Sequence, residues 1–395
     1  MTANVKESYD HIIVRGNPFT RGHSYGQQTK EKIVSNINYY KTSGVLPDWP
    51  QVCDYINNHY MKALEKHYPL GLNEMKGIAI GANVSLEEIV LLNARYEMLI
   101  WSRLLRRTNS KWPQECTGAV CLSKATKSGD ILIGQNWDIH SRLMDNDIIV
   151  LLEVHPDPEE NIAPYFMLTE AGQLGRSGMN ANGLGIIAMG LFSSQDHFDE
   201  SDKTGQYIPI TLLRRIFIEA PTFAVALKRM TSLPRHVSCN MMVATAEGEA
   251  INIELTPHNC FISYPPLETD VYTHSNHFKS SAFMDNQSVK DSFKIGSTHF
   301  RDRQLERELM NRWPNIDDHS FIDSFKNHLG FPESLCLHIP DKGKEYTSTS
   351  PKECTVANIV YNLTTKTVRL CKGQPCLGNY RKYQFNYNVN KDNED

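Results

Sequence analysis

From about residue 20 to residue 108, apolar residues recur at spacings of three and four, and Pro or Gly breaks near positions 47, 69 and 81 divide the pattern into segments. That spacing gathers apolar side chains on one face, so the first quarter of the chain predicts a set of helices. Ser85-Leu-Glu-Glu88 fits a capping box and predicts a helix from there to about Trp101. After the polar stretch Arg107 to Pro113 the texture changes. From Cys116 onward come short runs rich in Val, Ile and Leu, punctuated by Lys127-Ser-Gly-Asp130, Asn180-Ala-Asn-Gly183 and Glu247-Gly-Glu249, which read as hairpin turns between strands. Helical patterns interrupt them at about 207–232 and 299–329, and a last hairpin at about 355–371 turns at Thr364-Thr-Lys366. Runs of strands alternating with pairs of helices predict an α+β fold of two packed sheets with helices on both outer faces. There is no internal repeat and no low-complexity tract.

A length of 395 residues allows one or two cores, and no stretch approaches the roughly twenty apolar residues of a membrane span. The polar start, Met1 to Asp10, lacks the apolar run of a secretory signal, which points to the cytoplasm. A net charge of −4 without long runs of one sign excludes the concentrated basic face of a nucleic-acid binder. The sequons at Asn83, Asn286 and Asn362 read as ordinary surface or turn residues. The nine cysteines lack paired CxxC spacing, so the expectation is a reducing compartment, no metal and no cofactor, with Cys371 and Cys376 as two free thiols in a late loop. His274 and His277 have a metal-pair spacing but no third ligand at a telling distance.

The chemistry concentrates in Gln114-Glu-Cys-Thr-Gly-Ala-Val-Cys-Leu-Ser123, a turn, and Ile133-Gly-Gln-Asn-Trp-Asp-Ile-His140. A cysteine heads a hairpin whose return strand ends in Asn136-Trp-Asp138, which brings a thiol, a carboxamide and a carboxylate level with one another. Alone, a cysteine at a strand start also reads as a small buried hydrophobe.

Cys116-Thr-Gly-Ala119 followed by Gly134-Gln-Asn-Trp-Asp138 resembles the fungal isopenicillin-N acyltransferase family, peptidase family C45, which includes the insect β-alanyl-dopamine hydrolases. Thr169-Glu-Ala-Gly-Gln-Leu-Gly175, Gly178-Met-Asn-Ala-Asn-Gly-Leu-Gly185, Thr273-His-Ser-Asn-His277 and Cys354-Thr-Val-Ala-Asn-Ile-Val-Tyr361 resemble its later blocks in the same order. Gly16-Asn-Pro-Phe-Thr-Arg-Gly22 with Gly26, and Asn93-Ala-Arg-Tyr-Glu97, are similar to its early ones. The resemblance spans roughly residues 10 to 375. It implies a four-layer αββα N-terminal-nucleophile (Ntn) hydrolase sandwich with a helical N-terminal segment, made as an inactive precursor. Self-cleavage between Glu115 and Cys116 would divide it into a small chain, 1–115, and a catalytic large chain, 116–395.

The resemblance also implies roles. The Cys116 thiol is the nucleophile, and the α-amine freed by cleavage, with an ordinary pKa of about 8, is the base. Asn276 is expected to aim its side-chain NH2 at the developing oxyanion, and Asp138 to orient the new ammonium or hold the hydrogen-bond network around Cys116. Thr117 is assigned to positioning the scissile bond and Glu170 to the substrate pocket or a turn cap. His140 reads as a structural histidine. Lys352 stands where the acyltransferases carry an arginine, keeping the charge but losing the planar fork that grips a carboxylate, and Glu115 stands where glycine is usual. The expected partners are a small amide or acyl-CoA substrate and the chain's own cleaved N-terminal segment, with no membrane or nucleic acid. Hydrolysis of a small N-acyl amide is favoured over acyl transfer, because water is always available. Two competitors are a papain-like thiol protease, disfavoured because strands flank Cys116 where that family has a helix, and a binding protein that kept the fold without the cleavage.

Overall fold

A computed structural model describes residues 6–106, 116–198, 204–292, 296–340 and 352–385. Among the described residues fourteen strands form two sheets. The larger contains β1 (Asp10–Gly16), β4 (Ile149–Pro156), β5 (Tyr165–Glu170), β6 (Ser177–Asn180), β7 (Leu184–Gly190), β8 (Cys239–Thr245), β9 (Glu249–Leu255) and β10 (Cys260–Ser263), in the spatial order 1-4-5-6-7-8-9-10. The smaller contains β2 (Cys116–Cys121), β3 (Leu132–His140), β11 (Val271–His274), β12 (Glu353–Asn362), β13 (Thr367–Lys372) and β14 (Tyr380–Gln384), in the order 11-2-3-12-13-14.

Apart from β1, β10 and β14 at the sheet edges, the strands are nearly continuous in buried residues because both faces of each sheet are covered. One face of the large sheet, with Val150, Leu152, Met167, Ile186 and Met241, packs under the N-terminal helices through Ile33, Met75, Val90 and Met98, and under Leu213 and Phe217. The alternate residues of the same strands, Ile149, Leu151, Phe166, Ile187 and Met242, meet Cys116, Ile133, Trp137, Val356 and Tyr361 of the small sheet. The far face of the small sheet, with Ala119, Cys121, Leu132 and Val360, is closed by Leu305, Leu309, Phe321 and Phe325. The result is the four-layer αββα sandwich, each fully buried large apolar side chain contributing about 1.5–3 kcal/mol.

The Ser85 and Glu88 capping box is present in both directions, Ser85 N–H to Glu88 Oε2 at 2.8 Å and Glu88 N–H to Ser85 Oγ at 3.3 Å. Its helix ends earlier than expected, at Asn93, and a second one, Arg95–Arg106, follows a single residue later. The stretch at 207–232 is likewise two helices, Ile210–Ile218 and Phe223–Ser232, as is that at 299–329, Ser297–Met310 and Asp318–Ser324. The first quarter is not purely helical: β1 precedes the helices and pairs in parallel with β4 over its whole length. A seven-residue strand with one face toward helices has too little alternation to read from sequence alone. Residues on either side of position 116 therefore share one sheet and one core. The helix Pro18–Gln28 lies so close to Pro69–Ala82 that a Cβ on Gly22 would sit 2.1 Å from the Glu74 carbonyl oxygen, which accounts for that glycine in the early block. Among the described residues no helix is long and apolar enough to cross a membrane.

Candidate active site

Cys116 is the first residue of β2, at the end of the small sheet, where it pairs with Trp137 of β3. The hairpin register brings Asp138 to the neighbouring position. Between Thr355 and Ala357 the pairing of β3 with β12 shifts by one residue, a bulge at Val356 opposite the Trp137-Asp138 step. Bulges re-aim side chains locally, and this one lets the Thr355 hydroxyl donate to Asp138 Oδ1 at 2.6 Å.

β11 delivers the facing residues. It runs antiparallel to β2 and ends at His274, so Ser275 and Asn276 turn over Cys116. The Cys116 backbone N–H donates to Asn276 Oδ1 at 2.9 Å, and the Ser275 hydroxyl donates to the Cys116 carbonyl at 3.0 Å. Beneath both sits the fully buried Arg301, from the helix Ser297–Met310. Its Nη1 donates to Thr117 Oγ1 and Ser275 Oγ, each at 2.7 Å, and to the Cys116 carbonyl at 3.2 Å, while Nη2 reaches Asn276 Oδ1 at 3.1 Å. One guanidinium thus fixes the nucleophile's carbonyl, its neighbour's hydroxyl and the carboxamide that holds its nitrogen.

Asn276 accepts from two donors through its oxygen, and its NH2 donates to the Gly190 carbonyl at 3.0 Å. One hydrogen of this NH2 is committed to the end of β7, while the Asn276 oxygen anchors the Cys116 nitrogen. The donor that meets the sulfur is Arg176, whose Nη2 lies 3.3 Å from Cys116 Sγ while its guanidinium stacks 3.8 Å over the Trp137 ring. Burial pushes the Cys116 thiol up, and the Asp138 charge adds to that, while Arg176, a hydrogen bond from the Asp138 backbone and Arg301 oppose it.

Sequence reasoning missed both Arg176 and Arg301. Arg176 lies between two of the quoted blocks, in Gly175-Arg-Ser-Gly178, and a buried arginine in a glycine-flanked strand start was the available signal. Arg301 sits on a helix rich in charged residues, and nothing in its spacing marks it.

The remaining site residues fall in three places. Thr117 is at the nucleophile, bonded to Ser275 and Arg301. Glu170 is fully buried at the end of β5, ion-paired to Arg95 and accepting from Asn36 Nδ2 at 3.1 Å, so its carboxylate faces the N-terminal helices. Lys352 is exposed before β12, and its backbone carbonyl accepts from Ser141 N–H at 2.8 Å. Glu115 lies outside the described residues. His140 accepts from the Arg142 N–H through Nδ1, a structural role. His274 and His277 are committed separately, His274 Nε2 to Glu254 at 2.9 Å and His277 Nδ1 to Thr298 at 2.9 Å. Burial alone would raise the Glu254 carboxyl, but the hydrogen bond and charge of His274 hold it below its ordinary value, which ties the 275–280 turn in place.

Beside Arg176 the interior carries more positive charge. Arg95 and Arg214 are also buried, and both feel Arg176 as a like charge. Arg176 Nε, Arg214 Nε and Arg95 Nε and Nη1 make no hydrogen bond. Since a buried guanidinium nitrogen left unpaired costs free energy, such a group is suited to meeting an anion.

The sequence matches the family described as acyl-coenzyme A:6-aminopenicillanic acid acyl-transferase over residues 124–376. It is 22% identical over 374 residues to the acyl-coenzyme A:6-aminopenicillanic-acid-acyltransferase 40 kDa form of Emericella nidulans, covering 92% of this chain and 93% of that one. Among solved structures it is similar to a Caenorhabditis elegans orthologue of N-acylethanolamine-hydrolyzing acid amidase, with a TM-score of 0.41, 13% identity and coverage of 63% of this chain and 93% of that one. It is also similar to a mutant conjugated bile acid hydrolase from Clostridium perfringens, with a TM-score of 0.42, 13% identity and coverage of 70% and 100%.

Proposed function

From the premise that the chain belongs to the acyl-coenzyme A:6-aminopenicillanic acid acyl-transferase family, we propose that it is a self-processing cysteine amidohydrolase or acyltransferase whose nucleophile and base are both supplied by Cys116. The observation that carries this reading is that the two reactive atoms of one residue are gripped separately, the nitrogen by Asn276 at 2.9 Å and the sulfur by Arg176 at 3.3 Å.

In the precursor the thiol attacks the Glu115 carbonyl carbon, the acyl group moves from nitrogen to sulfur, and water hydrolyses the thioester. That returns the thiol and leaves an α-amine on Cys116 and a carboxylate on Glu115. Asn276 Oδ1 then holds the amine where it held the amide. The guanidiniums of Arg176 and Arg301 disfavour a second nearby cation, which keeps the amine neutral and able to take the thiol proton. The thiolate attacks the substrate carbonyl, Arg176 beside the sulfur serves as a donor to the charge that develops, and the leaving amine takes the proton back. Water resolves the thioester in hydrolysis, or an acceptor amine does so in transfer. Asp138, held by Thr355, positions the strand end beside the sulfur. Lys352 and Glu170 play no direct part in this scheme.

The unpartnered nitrogens of Arg176, Arg214 and Arg95 support an N-acyl amide carrying an acidic group as the substrate class. The second reading is transfer from acyl-CoA, supported by the name of the Emericella nidulans relative. None of the nine cysteines is in a disulfide, which supports a reducing compartment such as the cytoplasm. Denaturing electrophoresis and intact mass decide the processing step. Wild type is expected as fragments 1–115 and 116–395, and Cys116→Ala as one full-length chain. A wild type that stays whole and forms no thioester with any of a panel of acidic and neutral N-acyl amines and acyl-CoAs removes the proposal.

A further inference from the structure

Far from Cys116 in sequence, the loop after the helix Asp318–Ser324 and the connection between β13 and β14 converge. They bring His328, Cys336, His338 and Cys376 together, with one ligand atom from each, all within 4.8 Å of one another. Their spacing hides this: Cys376 lies near Cys371 in sequence, yet in space its thiol meets Cys336.

Four of the six distances between these atoms are close to the edges of a metal-centred tetrahedron. Cys336 Sγ and Cys376 Sγ are 3.6 Å apart, well beyond a disulfide bond. His338 Nε2 lies 3.5 Å from Cys336 Sγ, 3.4 Å from Cys376 Sγ and 3.1 Å from His328 Nε2. A zinc ion with Zn–S of about 2.3 Å and Zn–N of about 2.0–2.1 Å at tetrahedral angles gives edges of about 3.8 Å (S–S), 3.5 Å (S–N) and 3.3–3.4 Å (N–N). Hydrogen bonding does not account for the arrangement. A single imidazole nitrogen offers one hydrogen or one lone pair, and here His338 Nε2 has three neighbours within 3.5 Å. Two Nε2 atoms at 3.1 Å also face each other lone pair to lone pair unless one is protonated. An ion at the centre accepts all four lone pairs at once.

We propose that these four residues form a structural zinc site. Binding removes one proton from each thiol, so two thiolates and two neutral imidazoles leave the site with no net charge. Two sulfur and two nitrogen donors in tetrahedral array select Zn2+ over the oxygen-seeking Mg2+ and Ca2+, and four protein ligands leave no open position for a reaction. The ion would clip the 327–338 loop to the β13–β14 connection. That loop is also sewn to the active-site strands: Asn136 Nδ2 donates to the Leu335 carbonyl at 2.9 Å, Leu337 N–H to Thr355 Oγ1 at 3.0 Å, and Thr355 Oγ1 to Asp138. Zinc would therefore brace the wall behind Asp138 without touching substrate.

The test is metal content by mass spectrometry of the full chain, purified without chelator from zinc-supplemented medium, together with the spectrum of the chelator-stripped chain titrated with Co2+. The expected result is about one zinc per chain and a thiolate-to-cobalt absorption of tetrahedral form. Cys376→Ser and the exposed His328→Ala, with circular dichroism to check the fold, are each expected to lower retained zinc at least about tenfold, since each removes a ligand. Cys116→Ala is expected to keep it, which separates this site from the catalytic reading. Wild type that holds under about a tenth of an equivalent after reduction and excess zinc overturns the proposal. So does a mapped Cys336–Cys376 disulfide, or undiminished zinc in both folded ligand variants.

Discussion

Replacing Arg176 with methionine keeps an unbranched chain against Trp137 and removes the charge 3.3 Å from the Cys116 sulfur. At that separation a unit charge acts on a thiolate with about 5 kcal/mol at an effective dielectric constant of about 20. At 1.36 kcal/mol per pKa unit this corresponds to between about three and four units before the surroundings relax. Asp138 and the buried surroundings already push the thiol up, so losing the opposing charge moves it further in that direction. Relaxation and entering water reduce the effect, and a rise of at least about one unit is expected to remain. The assay is the rate of iodoacetamide alkylation of Cys116 across pH, read by mass spectrometry of its peptide. It follows the thiolate directly and does not depend on knowing the substrate. Arg176→Lys keeps the charge and is expected to restore most of the wild-type profile while losing the stacking on Trp137. If the Arg176→Met profile overlays that of wild type, the guanidinium does not stabilise the thiolate, and its place in the proposed mechanism falls.

Asn276→Ala strips partners from the Cys116 N–H, the Gly190 carbonyl and Arg301 Nη2. It is expected to cost about 1–3 kcal/mol of stability for each group left dry, and to slow turnover on the order of a hundredfold; wild-type turnover in a folded variant would contradict the role given to its oxygen. Glu74 accepts from Arg21 at 2.7 Å and from Arg215 at 2.8 and 2.9 Å in the buried contact between helices, so Glu74→Gln is expected to lower stability by about 3–5 kcal/mol in denaturant unfolding. Burial alone would raise the Glu74 carboxyl, but Arg215 and Arg21 pull it below its ordinary value. Its stabilising contribution is therefore complete above the unfolded pKa of about 4.3 and is lost as pH falls through the lower folded value. Unfolding midpoints measured from pH 6 downward are expected to drop more steeply for wild type than for Glu74→Gln, and parallel slopes would remove the assignment.

The four layers were legible in the sequence because their signals are local and repeated. The helical spacing before residue 108, the Ser85 and Glu88 cap and the glycine-marked hairpin turns each depend on a few neighbouring residues. What escaped depends on distant partners. β1 is a strand because β4 accepts it, and Arg301 is a site residue because β11 ends where it does. The sequence singled out Asn276, but not the contact of its oxygen with the Cys116 nitrogen, since that depends on distant partners, Arg301 and Gly190, at the two ends of its carboxamide. Glu170 shows the converse: it sits in a block that resembles a functional motif, yet its carboxylate is committed to Arg95 and Asn36.

The parallel pairing of β1 with β4 bears on what a cut at residue 116 would change. Residues 10–16 lie in the same sheet as strands from the far side of that point, and the helices between them supply one wall of the core. A nick there severs the covalent thread but leaves the ladder and the apolar contacts, so the two pieces should elute together at the size of the uncut chain. Unfolding is altered more than shape. An intact chain returns to the fold by a unimolecular search, whereas nicked pieces must first find each other, so recovery becomes concentration-dependent. Processing would turn a reversible equilibrium into persistence governed by the rate of separation, and the molecule would carry a record of having folded once.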